Sequence, residues 1–218
     1  MFPTFIADRF AAMNTEINNI LEKVTAMYLR YGIKSVTMDD VARDLGISKK
    51  TLYLYFSDKN DLVKKVIDKE IERIHRGFNE IIRQNLNAID EILEFNKMAS
   101  RVIKTHSSTA LYDLKKYYSD LHENIIRIWR ENMYDMILKN LRKGKVQGLF
   151  RKDLNEEVIA KLHVSRLLVA TDNDLFSHEE LVSHEVAREM YIYHIHGIAN
   201  ARGLEILEKS LKKNEINI

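Results

Sequence analysis

The chain has 218 residues, of which 45% are hydrophobic and 30% are charged, so it is long enough to bury a sizeable core. One proline and seven glycines are too few for a loop-rich or all-β protein and favour helices. The absence of cysteine excludes disulfides and thiolate metal sites, and a net charge of +2 means that any surface for nucleic acid must be local.

The apolar pattern indicates neither targeting nor membrane insertion. The amino-terminal stretch lacks a basic start followed by a sustained apolar run. No apolar run approaches the roughly 20 residues that cross a bilayer. We therefore expect a soluble, cytoplasmic protein without a membrane partner.

The first predicted helix begins near Asn14, and residues 1–13 before it are expected to form an amino-terminal arm or, alternatively, an extra turn of helix. Gly32 follows the helix directly and suits a left-handed helix cap. The apolar side chains of this helix recur at steps of three and four, which is the spacing of one helix face. They are Ile17, Ile20, Leu21, Val24, Tyr28 and Tyr31.

Two short helices follow in helix-turn-helix order over about residues 37–56. Thr37 and Asp40 have the spacing of a capping box that opens the second helix, and Gly46 ends that helix. Ser48 then caps a third helix. The third helix is the one that enters the major groove in such motifs.

The first turn of the third helix is rich in hydrogen-bond donors. Lys49, Lys50 and Thr51 occupy it, where free backbone N–H groups and the helix dipole favour phosphate. Tyr53 lies one turn further on. Gly46 to Lys65 holds five lysines against two aspartates, a local net charge of +3. We therefore predict DNA binding, with Lys50, Thr51 and Tyr53 as the candidates for reading bases.

Two flanking positions extend this predicted interface. Ser57 or Asp58 caps a long fourth helix that runs to about Gln84. Lys59 brings a cation to the amide-rich start of that helix. Thr37, at the cap of the second helix, is placed for a phosphate on the opposite strand. Contacts of this kind position a protein on DNA without reading its sequence.

The stretch VTMDDVARDLGISKKTLYLYFSDKNDLV resembles the DNA-binding domain of the TetR family of transcriptional regulators. The resemblance covers about residues 14–74 and is dense, including Leu-Gly-Ile-Ser and Lys-x-Thr-Leu-Tyr-x-Tyr-Phe. Lys50 replaces a common glycine, and Leu54 stands where a polar or aromatic residue often contacts DNA, so the resemblance does not imply a sequence preference. With the cap residue Ser48, the resemblance implies DNA-facing or DNA-adjacent roles for Thr37, Ser48, Lys49, Lys50, Thr51, Tyr53, Tyr55 and Lys59.

Several of these residues also have a structural interpretation. Tyr55 and Phe56 have the positions of core side chains in a short helix. Lys49 and Lys50 alone would be typical of a solvated helix start. An acidic cluster on the second helix is better explained by capping and solvation than by metal binding or catalysis; it consists of Asp39, Asp40 and Asp44.

Residues 75–218 contain no proline and predict a succession of helices. One apolar stripe runs from Ile125 to Leu141. Asp153 with Glu156 is predicted to cap the next helix. Ser177 with Glu180 is predicted to open a helix that continues to about Asn200. A last short helix is predicted from Leu204 to Lys212.

The resemblance implies that this half dimerises and holds a ligand pocket. The implied fold is all-α, with a three-helix helix-turn-helix domain (14–74) joined by the long fourth helix to a ligand-binding and dimerisation domain (75–218). The implied homodimer is formed through about residues 154–171 and 178–200. Aromatic, sulfur and histidine side chains are the pocket candidates, with ordinary core packing as the alternative. They are Phe95, Met98, His106, Tyr112, Tyr118, Trp129 and Met133.

The histidines and the glycines do not form a reactive pattern. His194 and His196 are two residues apart and point to opposing sides of a helix, and Arg188 stands where His184-Glu185 would need a second histidine. No phosphate loop or nucleophile elbow is present. We expect no metal, no cofactor and no catalytic residues.

Three functional hypotheses follow from these features. The first is a ligand-responsive, sequence-specific DNA-binding regulator, acting as a repressor on a near-palindromic operator and released by a small molecule. The second is a helical protein–protein adaptor that has kept the motif without operator binding. The third, an enzyme, lacks a candidate reactive site.

Overall fold

The computed structural model describes residues 3–105, 107–171, 176–181 and 183–214. Over these ranges the regular structure is entirely helical, which confirms the predicted all-α class. None of the described helices has the length and apolar composition needed to cross a membrane. The helices are α1 (Pro3–Tyr31), α2 (Met38–Leu45), α3 (Lys49–Tyr55), α4 (Lys59–Arg83), α5 (Ala88–Thr105), α6 (Ser108–Tyr117), α7 (Ser119–Val146), α8 (Glu156–Thr171), α9 (His178–Leu181), α10 (His184–Ile198) and α11 (Ala201–Asn214).

The chain divides into two compact units. The first unit contains Met1–Ile74 together with His106–Glu123, and the second contains His75–Thr105 and Asn124–Ile218. The sequence-based limits put every residue after 74 in one domain. The structure groups α6 with the helix-turn-helix instead.

Helix α1 is longer than predicted. It begins at Pro3, so the residues from Pro3 to Met13, expected to form an arm or an extra turn of helix, are part of the first helix. Proline is well suited to the first helical position, because its missing N–H would have no partner there and its φ is already helical. No glycine or proline interrupts the chain between Pro3 and Asn14.

The predicted caps of the helix-turn-helix are present. The Thr37 hydroxyl accepts from the Asp40 N–H at 3.1 Å, and the Thr37 N–H donates to the Asp40 carboxylate at 3.0 Å. Gly46 ends α2 with a φ of 68°, and Ser48 caps α3. Asp58 caps α4 by accepting the Asp61 N–H at 2.8 Å.

The core of the second unit is built mainly from α5, α7 and α10. Ile89, Leu141, Tyr191 and Ile195 are almost completely buried. The Tyr191 hydroxyl donates to the carbonyl of Ile89 at 3.3 Å. This buried hydroxyl is therefore paired, which avoids the cost of an unsatisfied polar group in the core.

Two predicted helix boundaries in the second unit are wrong. Asn155, not Asp153, caps α8, because its side chain accepts the Val158 N–H at 3.1 Å. The Ser177–Glu180 capping box forms, but it opens only the short α9. Ser183 then supplies a new cap for α10, which divides the long helix predicted to reach Asn200.

The last helix also begins earlier than its predicted start at Leu204. The Asn200 side chain accepts the Gly203 N–H at 3.0 Å and donates to the carbonyl of Gly148 at 3.0 Å. These bonds open α11 at Ala201.

Two helical glycines of the second unit provide a matched test of packing. A Cβ at Gly203 would lie 2.2 Å from the carbonyl oxygen of Leu149, whereas a Cβ at Gly197 would meet nothing within 4 Å. We expect Gly203→Ala to lower the free energy of unfolding by about 1–3 kcal/mol through overpacking. Gly197→Ala should raise it by about 0.5–1 kcal/mol, because alanine is the better helix former. Urea unfolding measures both, and equal effects of the two substitutions would contradict the packing.

A buried histidine pair joins α8 to α10. The rings of His163 and His194 meet edge-on with their centroids 4.1 Å apart. Burial, together with the nearby Arg166 guanidinium, lowers the pKa of His194 to about 3. Burial and the repulsion of His194 and Arg166 also hold the pKa of His163 well below its ordinary value.

This pair predicts loss of stability in mild acid. Because the folded pKa values are depressed, the unfolded chain binds more protons; stability is full above about pH 6.5 and falls as the pH drops below it. Each pH unit below that point should cost up to about 1.4 kcal/mol per histidine. His194→Gln should flatten the dependence of unfolding free energy on pH between 7 and 5, whereas His196→Gln, at an exposed position of α10, should not. If His194→Gln left the pH dependence of the unfolding free energy unchanged, the buried histidine pair would not be its cause.

Candidate nucleic-acid interface

Gly46 and Ile47 form the turn between α2 and α3. Gly46 takes the left-handed conformation and returns its N–H to the carbonyls of Ala42 and Arg43. The next N–H, from Ile47, also bonds to the carbonyl of Ala42 at 3.0 Å. These bonds give partners to carbonyl groups in the last turn of α2. The chain changes direction within three residues, so that α3 can begin at Lys49.

Helix α3 is anchored by one face and open on the other. Leu52 is fully buried and Phe56, which caps the helix, is 1% exposed. On the opposite side Tyr53 is 43% exposed and Leu54 is 76% exposed. An apolar side chain that is this exposed on the predicted recognition helix can contact a thymine methyl group in the major groove. The sequence pattern alone did not indicate this role for Leu54.

The first turn of α3 holds its donors in defined positions. The Ser48 side chain accepts the Thr51 N–H at 3.0 Å, and the two hydroxyls lie 2.7 Å apart. Lys50 is exposed beside them. The predicted set of Ser48, Lys49, Lys50 and Thr51 is therefore brought together at one helix start.

Acidic side chains of α2 neutralise part of this surface. The Lys49 ammonium forms an ion pair with Asp39 at 2.7 Å. The Thr37 hydroxyl donates to Asp40 at 2.6 Å. That hydrogen bond, helped by the Thr37 N–H and Arg43, holds the pKa of the Asp40 carboxyl below its ordinary value. The aspartates thus cap and pair, as the structural interpretation of the acidic cluster expected.

Lys59 and Tyr55 are more enclosed than the rest of the predicted set. The Lys59 ammonium donates to the carbonyl of Lys34 at 3.0 Å. Partial burial and the neighbouring Lys34 charge lower the pKa of Lys59. Tyr55 is half-buried and hydrogen-bonds to Glu16 of α1, which raises its pKa. Tyr55 thus contributes to packing against α1, and DNA contact by either residue stays a prediction.

The sequence of this chain is similar to those of known regulatory proteins. The family model described as bacterial regulatory proteins of the tetR family matches residues 20–66. An uncharacterized HTH-type transcriptional regulator, YvaF of Bacillus subtilis (strain 168), is 26% identical over 154 residues, which are 69% of this chain and 76% of the relative. The HTH-type transcriptional repressor KstR2 of Mycobacterium tuberculosis is 22% identical over 70% of this chain and 78% of its own length. Residues 20–66 of this chain are thus similar to regulatory proteins of the TetR family.

The TetR-family fold extends over most of the chain. A transcriptional regulator from Cytophaga hutchinsonii has a solved structure that matches 85% of this chain and 99% of its own, with a TM-score of 0.71 and 21% identity. The family match and the named relatives support a DNA-binding transcriptional regulator rather than an enzyme.

The predicted pocket residues that the structure describes are distributed over both units. In the second unit Phe95, Met98 and Met133 are buried, and Trp129 packs half-buried against the core. Phe95 meets Phe78 edge-on at 5.6 Å. Their assignment to a pocket stays a prediction beside core packing.

Two pocket candidates lie in the first unit and a third is outside the described residues. Tyr112 is 57% exposed on α6. Tyr118 lines an open groove of about 520 Å³ together with Asp61 and Lys64. His106 falls outside the part of the chain that the structure describes.

The Asp39–Lys49 pair predicts how a neutralised surface responds to mutation. Asp39→Asn removes an exposed carboxylate from the DNA-facing surface and frees Lys49, so binding to a duplex of unrelated sequence should become several-fold tighter at low salt. Asp135→Asn, an exposed substitution on α7 in the second unit, removes the same charge and should change the affinity much less. Fluorescence anisotropy at fixed salt measures both. Equal gains in affinity for the two variants would show that the change in net charge, and not the position of Asp39, is responsible.

Proposed function

We propose that this protein is a homodimeric repressor of the TetR family that binds a near-palindromic operator and is released by a small-molecule ligand. The observation that carries the DNA-binding part is the open first turn of α3. Ser48 and Thr51 order the turn, Lys50 is exposed beside them, and Tyr53 presents 43% of its surface one turn later. Donors so placed suit base edges and phosphates in a major groove.

Exposed apolar side chains on α8 and α10 support the homodimer. Val158 and Leu162 lie one turn apart on α8 and are 48% and 60% exposed. Tyr193 of α10 is 76% exposed, and the Arg166 guanidinium lies 6.0 Å from the centre of its ring. These residues fall within the segments 154–171 and 178–200 expected to pair. An isologous dimer would present two recognition helices about 34 Å apart, one turn of DNA.

The ligand response requires only a difference in ligand affinity between two conformations. A ligand that favours a form with wrongly spaced α3 helices weakens operator binding by the coupling free energy, typically about 1–3 kcal/mol. The aromatic and sulfur side chains of the second unit, Phe95, Met98, Trp129 and Met133, are the candidates for its binding site. Helix α4 is shared by the two units and is the proposed link between the ligand and α3.

Selection of duplex fragments by the purified protein tests this function. We expect wild-type protein to enrich an inverted repeat at physiological salt from random fragments and from fragments flanking its own gene. Lys50→Ala and Tyr53→Ala should each weaken binding to the recovered repeat by about 1–3 kcal/mol, the range for a base-reading contact. Lys139→Ala, an exposed lysine substitution in the second unit, serves as the control.

The selection also separates the proposal from its rival. Failure to enrich any sequence, or enrichment that is indifferent to both α3 substitutions, would contradict the assignment of α3 and favour the adaptor. Recovery of a single half-site in place of an inverted repeat would contradict the homodimer on DNA.

A further inference from the structure

A group of lysines and tyrosines in the first unit lies outside the helix-turn-helix. Tyr117 is 44% exposed. The ammonium groups of Lys34 and Lys116 lie 4.5 Å and 5.5 Å from the centre of its ring. Lys116 also donates to the Tyr112 hydroxyl at 2.9 Å and lies 5.2 Å from the centre of that ring. Lys34, Tyr112, Lys116 and Tyr117 are named here the lysine–tyrosine patch.

The patch adjoins the start of α4. The backbone of Lys34 bonds in two directions, because its carbonyl accepts from the Lys59 ammonium at 3.0 Å and its N–H donates to Asp113 of α6 at 2.8 Å. Lys59 is the first residue of α4, where free N–H groups favour phosphate. The patch is therefore continuous with the surface on which the Thr37 and Lys59 phosphate contacts are predicted.

The lysines of the patch, Lys34 and Lys116, are not ion-paired with a carboxylate within the part of the chain that the structure describes. Asp113 is 6% exposed and already accepts the Lys34 N–H. Asp58 accepts the Asp61 N–H, and Asp61 in turn pairs with Lys65. Hydrogen bonding to Tyr112 raises the pKa of Lys116, which keeps this side chain charged.

The aromatic rings restrict where these ammonium groups go. A lysine held over an exposed ring is stabilised by the electrostatic attraction of the ring face, which reduces the conformational freedom it must lose when it binds an anion. The tyrosine hydroxyls add donors beside the two charges. This combination fits a phosphate backbone, which requires positive charge and hydroxyl donors without a fixed base sequence.

We propose that the lysine–tyrosine patch binds the phosphate backbone of double-stranded DNA and extends the interface beyond the helix-turn-helix onto α6. The inference rests on the DNA binding proposed above. It assigns Tyr112 to DNA rather than to a ligand pocket. The patch contributes affinity and leaves base discrimination to α3.

The salt dependence of affinity tests the patch. Lys34→Gln, Lys116→Gln and the double substitution are compared with wild type on two duplexes of equal length, the selected operator and its scrambled sequence, as KCl rises from about 50 to 200 mM. Each lost phosphate contact lowers the slope of log affinity against log salt by about 0.9, and by about 1.8 for one lysine in a dimer. The ratio of affinities for the two duplexes should stay at the wild-type value.

Two controls separate the possible results. Lys139→Gln removes an equal charge from α7 in the second unit and should leave the slope unchanged. The double variant Lys34→Arg/Lys116→Arg keeps both charges and should retain the wild-type slope. A wild-type slope in the double Gln variant, with folding confirmed by thermal melting, would overturn the patch while the proposed function stands. Absence of DNA binding by the wild type would overturn both.

Discussion

The corner that leads into the helix-turn-helix is held by a hydrogen bond from a distant part of the chain. The Lys34 N–H donates to the Asp113 carboxylate at 2.8 Å, across 79 residues of chain. Asp113 is 6% exposed, and such a buried polar group is tolerated only where it finds a partner. Gly32 makes the approach possible, because a Cβ there would lie 2.9 Å from the Asp113 carboxylate and 2.9 Å from Thr109. The corner between α1 and α2 is thus built against α6.

From this corner the elements that face DNA are positioned in sequence. Lys34 presents its carbonyl to Lys59 at the start of α4, and Thr37 opens α2 three residues later. Gly46 and Ser48 then place α3 by strictly local bonds. The interface therefore combines two kinds of restraint: local caps orient α3, and a contact between distant parts of the chain holds the corner that leads into it. Loss of the second restraint would disturb the predicted phosphate contacts at Thr37 and Lys59 before it disturbed α3.

Local interactions explain most of what the sequence could predict. A capping box or a left-handed glycine acts over three or four residues, so Thr37, Gly46 and Ser48 could be identified as helix limits without a structure. The family resemblance covered the same region. The start of α1 at Pro3 was available from the same spacing, because Ile6, Phe10 and Met13 continue the apolar steps of three and four upstream of Ile17. The division of α9 from α10 was missed because Ser183 was not recognised as a second cap.

Contacts between distant residues had no such signature. Neither the inclusion of α6 in the first unit nor the Lys34–Asp113 bond could be inferred from spacing, because both join residues far apart in sequence. The same holds for the candidate site. The first turn of α3 could be named in advance, whereas the ion pair of Lys49 with Asp39 and the rings under Lys34 and Lys116 follow from tertiary structure.

The path of the chain limits how a ligand signal can reach α3. The backbone passes between the two units at residues 74/75, 105/106 and 123/124. The first and third of these passages lie inside continuous helices, α4 and α7. Neither helix contains a proline, one of the residues at which helices kink sharply. In the proposed ligand response, α4 would carry a movement to Lys59, while the segment between the second and third passages would carry it through Asp113 to the α1–α2 corner. Because Lys59 itself bonds to the carbonyl of Lys34, the two routes converge on one residue. A conformational change that shifts Lys34 would therefore alter the phosphate-facing surface without unfolding α3.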